Sequence, residues 1–168
     1  MRILGLDVGE RRIGVAAADS EMRVALPVGV VERSEPAADA AAIARLMEEQ
    51  KAEALVLGLP ISLSGSLGPQ AQSVRAFGDQ LAARLGLTVE YWDERLSTVE
   101  AQRRLATPGG RGKQDKRGRS TKARQADRGR LDAAAAAIIL QSYLDRRAGQ
   151  TAARPGGGSA SEGFPAQA

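Results

Sequence analysis

The spacing of its apolar runs constrains this chain more than any other feature. Three short runs, residues 2–8 (RILGLDV), 12–18 (RIGVAAA) and Val24–Val31 (VALPVGVV), follow one another with only a few residues between them. Strands joined so closely pair as an antiparallel meander, because a parallel pair needs a crossover of a dozen or more residues. Pro27 and Gly29 interrupt the third run. Proline has no amide to give a sheet ladder, so that strand belongs at an edge. The period then changes. Pro36 through Glu49 is Ala-rich, with Ile43, Leu46 and Met47 at helical spacing and Pro36 suited to a first helical position. Ala54–Leu59 (ALVLGL) is wholly apolar, as a strand covered on both faces would be.

A loop containing Pro60, Ser64, Gly65 and Gly68 leads to a helix from about Pro69 to Leu85 and a strand Leu87–Trp92. Ser97 or Thr98 then offers a cap for a helix over 98–106. Residues 108–127 are basic and Gly-rich without apolar periodicity, which predicts a flexible loop. Arg130–Arg147 reads as a helix whose apolar stripe is Leu131, Ala134, Ala135, Ile138, Ile139 and Tyr143. From 148 to 168 the composition turns to Gly, Ser, Ala and Pro, as in a disordered tail. The order β-β-β-α-β-α-β-α-loop-α gives one α/β domain over 1–147. Its centre is a mixed five-stranded sheet with helices on both faces and right-handed crossovers.

Two absences narrow the chemistry. The chain has no Cys and no His, which excludes disulfides, thiolate nucleophiles, Cys/His zinc sites and every Ser-His-Asp arrangement. Catalysis would fall to Asp, Glu, Lys, Ser, Thr or Tyr, and carboxylates without nitrogen or sulfur partners suit magnesium or manganese. No run approaches the roughly 18 apolar residues of a membrane span. Asp7 and Arg11 break the first apolar stretch, so a signal peptide is not expected and the protein should be cytoplasmic.

The charge is uneven. Between Arg111 and Arg130 stand nine basic residues (Arg111, Lys113, Lys116, Arg117, Arg119, Lys122, Arg124, Arg128 and Arg130) against Asp115 and Asp127, while the rest of the chain is net negative. Such a segment is either a solvated loop or an electrostatic footprint for a polyanion. Arg11, Arg12 and Arg95 are further candidates for phosphate contacts. Aromatics are only 3% of the chain, too few for a base-stacking platform, so backbone and shape contacts are favoured.

Three acidic residues lie where polar groups need a reason. Asp7 follows the alternation Ile3, Gly5, Asp7 inside an apolar strand, Glu94 follows a strand at its carboxyl end, and Asp132 opens the apolar run LDAAAAAIIL. Singly, each has an ordinary explanation: Asp7 could accept from the turn at Gly9, Glu94 could pair with Arg95, and Asp132 could sit in a first helical turn. Together they fall at one end of the sheet in the topology above. Three carboxylates about 5 Å apart would repel by roughly 3 kcal/mol per pair at an effective dielectric of about 20. One or two divalent ions reverse that sign and support phosphodiester hydrolysis. In that arrangement Asp7, Glu94 and Asp132 are both metal ligands and catalytic residues. The division of roles between Glu94 and Asp132 stays open, and Asp93 is the alternative acid beside Glu94, with Trp92 favouring a structural part for it.

The segments MRILGLDVGERRIGVA, LVLGLPISLSGSLGPQA, YWDERLST and RLDAAAAAIIL occur in that order. They resemble the YqgF/RuvX family across most of residues 1–146. The resemblance implies a ribonuclease H-like fold and a nuclease that matures the 5′ end of pre-16S rRNA or resolves Holliday junctions. It places Asp7 (GLDVG), Glu94 (DERLST) and Asp132 (LD..AA..IL) in the active site. Ser64-Gly65 departs from the Asn-Gly or Asp-Gly expected there. The first motif also resembles a phosphate loop of actin-like ATP-binding folds, but the second Asp-Gly loop such folds need is not evident. A non-catalytic nucleic-acid-binding module is the remaining alternative. Junction resolution would require a homodimer with two sites on one substrate; RNA processing would not.

Overall fold

The apolar runs become strands β1 (Arg2–Val8), β2 (Arg12–Asp19), β3 (Val24–Glu32), β4 (Ala54–Leu59) and β5 (Val89–Asp93), with helices α1 (Pro36–Gln50), α2 (Pro69–Leu85) and α3 (Thr121–Ala152). This computed structural model describes residues 1–97 and 121–152. The strands form one sheet in the order β3-β2-β1-β4-β5. The first three are antiparallel, and β4 and β5 run parallel to β1. Pro27 does lie on an edge strand, and the β2–β3 register slips between Val15 and Ala16, which pair with Gly29 and Pro27. The amide that proline lacks falls beside this irregularity.

Pro36 and Pro69 open α1 and α2, and Lys51 and Gly86 close them in the left-handed conformation. Both helices pack on one face of the sheet, where Ile43, Met47, Val74, Phe77 and Leu81 meet Leu4, Leu6, Ile13, Val15, Leu55 and Leu57. On the opposite face α3 lies on Ile3, Ala16, Ala18 and Val56 through Ala136, Leu140, Tyr143 and Leu144. Among the described residues, no helix is long and apolar enough to cross a membrane.

Three expectations need correction. Residues 121–127 belong to α3 rather than to a loop, and the helix also continues past 147 to Ala152. Its first part lies along β3, where a Cβ on Gly129 would stand 3.3 Å from Val30 Cγ2, so packing rather than local periodicity sets its start. The buried stripe of α3 is Ala133, Ala136, Ile139, Leu140, Tyr143 and Leu144, whereas Leu131 is 69% and Ile138 37% exposed. Small residues at 133 and 136 let the helix approach the sheet more closely than the larger Leu131 and Ile138 would. Finally, residues 94–97, for which no helix was expected, are helical. Asp93 caps them by accepting the Arg95 amide at 3.0 Å. The expected helix over 98–106, the rest of the expected loop at 108–120 and the expected tail from 153 lie outside the described residues.

Candidate active site

One lateral row of the sheet organises the acidic residues. Asp7 on β1 is the direct partner of Gly14 on β2. The parallel pairing of Leu6 with Leu57 puts Gly58 on the other side of Asp7, and Gly58 is in turn paired with Trp92. Each glycine makes room for one acid. A Cβ on Gly14 would collide with the Asp132 backbone carbonyl, and a Cβ on Gly58 would come within 2.6 Å of Glu94 Oε1 and 2.7 Å of Ile139 Cδ1. Asp132 and Glu94 therefore flank Asp7 over two side-chain-free positions. An isolated glycine within a strand pattern is the signature of such close approach, and it was the signal available at positions 14 and 58.

The electrostatics follow from this crowding. Burial, then the charge of Asp132, raises the Asp7 carboxyl above its ordinary value. Glu94 is pushed up to about 7, first by burial and then by the charges of Asp7 and Asp93. Asp7 does not close the turn that follows it, because the Gly9 amide donates to the Arg12 carbonyl at 2.9 Å. Two carboxyls raised together, each with a negative neighbour among the causes, describe acids that crowd one another.

Asp132 is placed differently. It lies well inside α3, beyond its first turn, so the helix dipole does not account for it. Its Oδ2 accepts from Arg12 Nε at 2.7 Å, and Arg12 also lies 4.0 Å from Glu32. Asp93 is engaged by Arg95. The Arg95 guanidinium donates to both of its oxygens, at 3.0 Å from Nε and 2.6 Å from Nη2, and this bonding holds the Asp93 carboxyl below the usual range.

Of the basic candidates, Arg11 is exposed in the turn after β1, and Arg128 and Arg130 are exposed on α3. Arg12 and Arg95 spend their charge on Asp132 and Asp93. Arg111, Lys113, Lys116, Arg117 and Arg119 lie outside the described residues, as do the side chains of Lys122 and Arg124. Sequence reasoning passed over Arg33, which donates to the Gly9 carbonyl at 3.0 Å and lies over the Phe77 ring, fixing the turn beside Asp7.

The donor set is all oxygen, which suits a hard divalent cation. Among the described residues, no three acidic side chains stand close enough together to hold a metal ion. Asp132, the third acid of the row, is bonded to Arg12.

A family model described as RuvX, Holliday junction resolvase, matches residues 1–146. The chain belongs to the RuvX family. A relative from Anaeromyxobacter dehalogenans (strain 2CP-1 / ATCC BAA-258), named "Putative pre-16S rRNA nuclease", is 45% identical over 148 residues, covering 88% of this chain and 99% of the relative. A relative of the same name from Moorella thermoacetica is 44% identical, with 87% and 96% covered. Among solved structures, Thermus thermophilus RuvC in complex with a Holliday junction substrate is similar at a TM-score of 0.54 and 19% identity, covering 89% of this chain and 97% of RuvC. That likeness concerns the fold, which is ribonuclease H-like. RuvX membership across nearly the whole chain sets the actin-like alternative aside.

Proposed function

We propose that this RuvX protein is a divalent-cation-dependent endonuclease that hydrolyses phosphodiester bonds in the cytoplasm, acting on the 5′ end of pre-16S rRNA. The observation that carries this reading is the Asp7 carboxylate, flanked over Gly14 and Gly58 by Asp132 and Glu94, with the Asp7 and Glu94 carboxyls both raised. The names of the relatives favour the ribosomal substrate.

In this reading Asp7, at the centre of the row, would be a ligand of the cation. Glu94, seated over Gly58, would be a second ligand and would orient a water. Asp132 completes the set by exchanging Arg12, whose guanidinium is then free to meet a phosphate oxygen. A divalent cation held there would supply Lewis-acid polarisation and a lowered pKa for a water. Arg11, Arg128, Arg130 and the basic segment from 111 to 124 supply the attraction that brings a polyanion to an acidic pocket.

A second reading, resolution of branched DNA by a homodimer, is favoured by the description of the family model. One assay separates the two. Labelled pre-16S RNA and four-way DNA junctions are offered side by side in manganese and magnesium, with Asp7→Asn as control. Cutting of the RNA, reduced by about 10³-fold or more in the variant, supports processing. Paired symmetric cuts in the junction support resolution. Binding of either substrate without cutting would leave a nucleic-acid-binding module as the better account.

A further inference from the structure

The loop between β4 and α2 contains a feature that the carboxylate chemistry does not use. Ile61 and Leu67 anchor its two ends in the core, and residues 62–66 between them are exposed. Within this turn three serine hydroxyls converge: Ser62 Oγ lies 2.8 Å from Ser64 Oγ and 2.8 Å from Ser66 Oγ, and Ser64 Oγ lies 3.1 Å from Ser66 Oγ. The backbone is pinned as well. The Ser62 amide donates to the Ser66 carbonyl at 3.1 Å and the Gly65 amide to the Ser62 carbonyl at 2.8 Å, with Gly65 at φ +83°. At the tip, Leu63 is 96% exposed.

The turn is coupled to the active site. Arg95, the residue after Glu94, donates through Nη1 to the Ser62 carbonyl at 3.3 Å while its other nitrogens hold Asp93. The strand that feeds the loop, β4, carries Gly58, over which Glu94 lies. The serine turn thus projects beside the carboxylates from the same end of the sheet.

We propose that the turn 62–66 is a docking element for the sugar-phosphate backbone of the nucleic-acid substrate. In it the hydroxyls of Ser62, Ser64 and Ser66 take one phosphate group near the scissile bond, and Leu63 packs against the adjoining nucleoside. The inference rests on the nuclease reading above. Each hydroxyl has one hydrogen and two lone pairs; in the free protein they are satisfied within the turn, where the Ser62 hydroxyl also donates to the Ser66 carbonyl at 3.0 Å and accepts from the Ser66 amide at 3.2 Å. A phosphate oxygen, an acceptor only, turns them outward. An apolar tip beside a phosphate contact is a recurrent way to engage a nucleotide from its side or its base step.

Binding is measured on the Asp7→Asn protein, which holds substrate without consuming it, using a fluorescent pre-16S RNA fragment and a four-way junction. Adding Ser64→Ala should weaken binding by about tenfold, the worth of one hydrogen bond to a charged group, and Leu63→Ala should weaken it by about as much through the apolar contact it removes. The slope of affinity against salt should not change, because no ion pair is lost. Both side chains are exposed, so the melting temperature should stay constant, and Ser64→Thr, which keeps the hydroxyl, should restore affinity. In the otherwise intact enzyme the loss should appear in KM rather than kcat. Affinity within twofold of the parent for both variants overturns the inference while leaving the nuclease reading in place. If the Asp7→Asn parent itself binds neither substrate, the nuclease reading fails and the inference falls with it.

Discussion

On the face covered by α1 and α2, the sheet presents Leu4, Leu6, Ile13, Val15, Leu55 and Leu57. On the face covered by α3, the same strands present Gly5, Asp7, Gly14, Ala16, Val56 and Gly58. The first surface is filled by volume: large side chains from strand and helix interdigitate, and no acid of the candidate site lies there. The second is built by removing volume. Gly5 admits Leu140, with a Cβ there only 2.7 Å from Leu140 Cβ; Gly14 admits the backbone of α3; Gly58 admits Glu94. A helix allowed this close carries Asp132 to Asp7, and a strand end without a side chain at Gly58 leaves room for Glu94. One face stores stability and the other spends close approach on electrostatics.

The sharpest way to break this comparison uses two neighbours on β4. Leu57→Ala removes a fully buried side chain from the α1–α2 face and should cost about 3 kcal/mol of stability. The folded protein should retain its cleavage rate to within about threefold, since the site row is left in place. Gly58→Ala should do the converse. Its Cβ displaces Glu94, so cleavage should fall by about 100-fold, while stability falls by only about 1–2 kcal/mol. Denaturation midpoints and single-turnover rates on the same two proteins decide the matter. Equal profiles for the pair would mean that the two faces are not functionally distinct.

The next effect concerns pH. Asp7 and Glu94 are both raised, Glu94 to about 7. Carboxyls raised by folding stabilise the protein when protonated, and that contribution is lost as pH rises from their ordinary range through the folded value. Without divalent cation, melting temperature should fall from about pH 5 to about pH 8 by a few degrees. Manganese should reverse the trend at the upper end, and Glu94→Gln should flatten it. A manganese effect independent of pH would contradict the assignment of these carboxyls as ligands.

The smallest effect sharpens the role of Arg12. Its pair with Asp132 is partly exposed on both sides, so Arg12→Gln should cost no more than about 1 kcal/mol. Manganese affinity should rise a few-fold, because Asp132 no longer has to leave a cation. Weaker manganese binding in this variant would show instead that Arg12 holds Asp132 in place for the metal.

Much of the architecture was legible in the sequence because it rests on local physics. Short connections force the meander, Pro27 puts β3 at the edge, Pro36 and Pro69 start helices, and the unbroken apolar run 54–59 requires cover on both faces. Asp7 stood out because a carboxylate in an apolar strand needs a reason. What was not legible is long-range. The ion pair of Arg12 with Asp132 joins residues on elements far apart in sequence. The face of α3 was misread because Leu131 and Ile138 are more hydrophobic than Ala133 and Ala136, yet a floor of glycine and alanine selects the small residues. The start of α3 was hidden by Gly129 and its basic neighbours, which break the apolar period while Gly129 packs on Val30. Asp93 beside Glu94 was separable only by its bonds to Arg95.

The central claim, that the row Asp132–Asp7–Glu94 is a divalent-cation site, is tested most directly by calorimetric titration of manganese at neutral pH into the intact protein and the Asp7→Asn variant. The account predicts saturable binding with proton release for the intact protein and an affinity at least about tenfold weaker in the variant. Equal affinity in the two would contradict it, because the carboxylate at the centre of the row would then take no part in holding the ion.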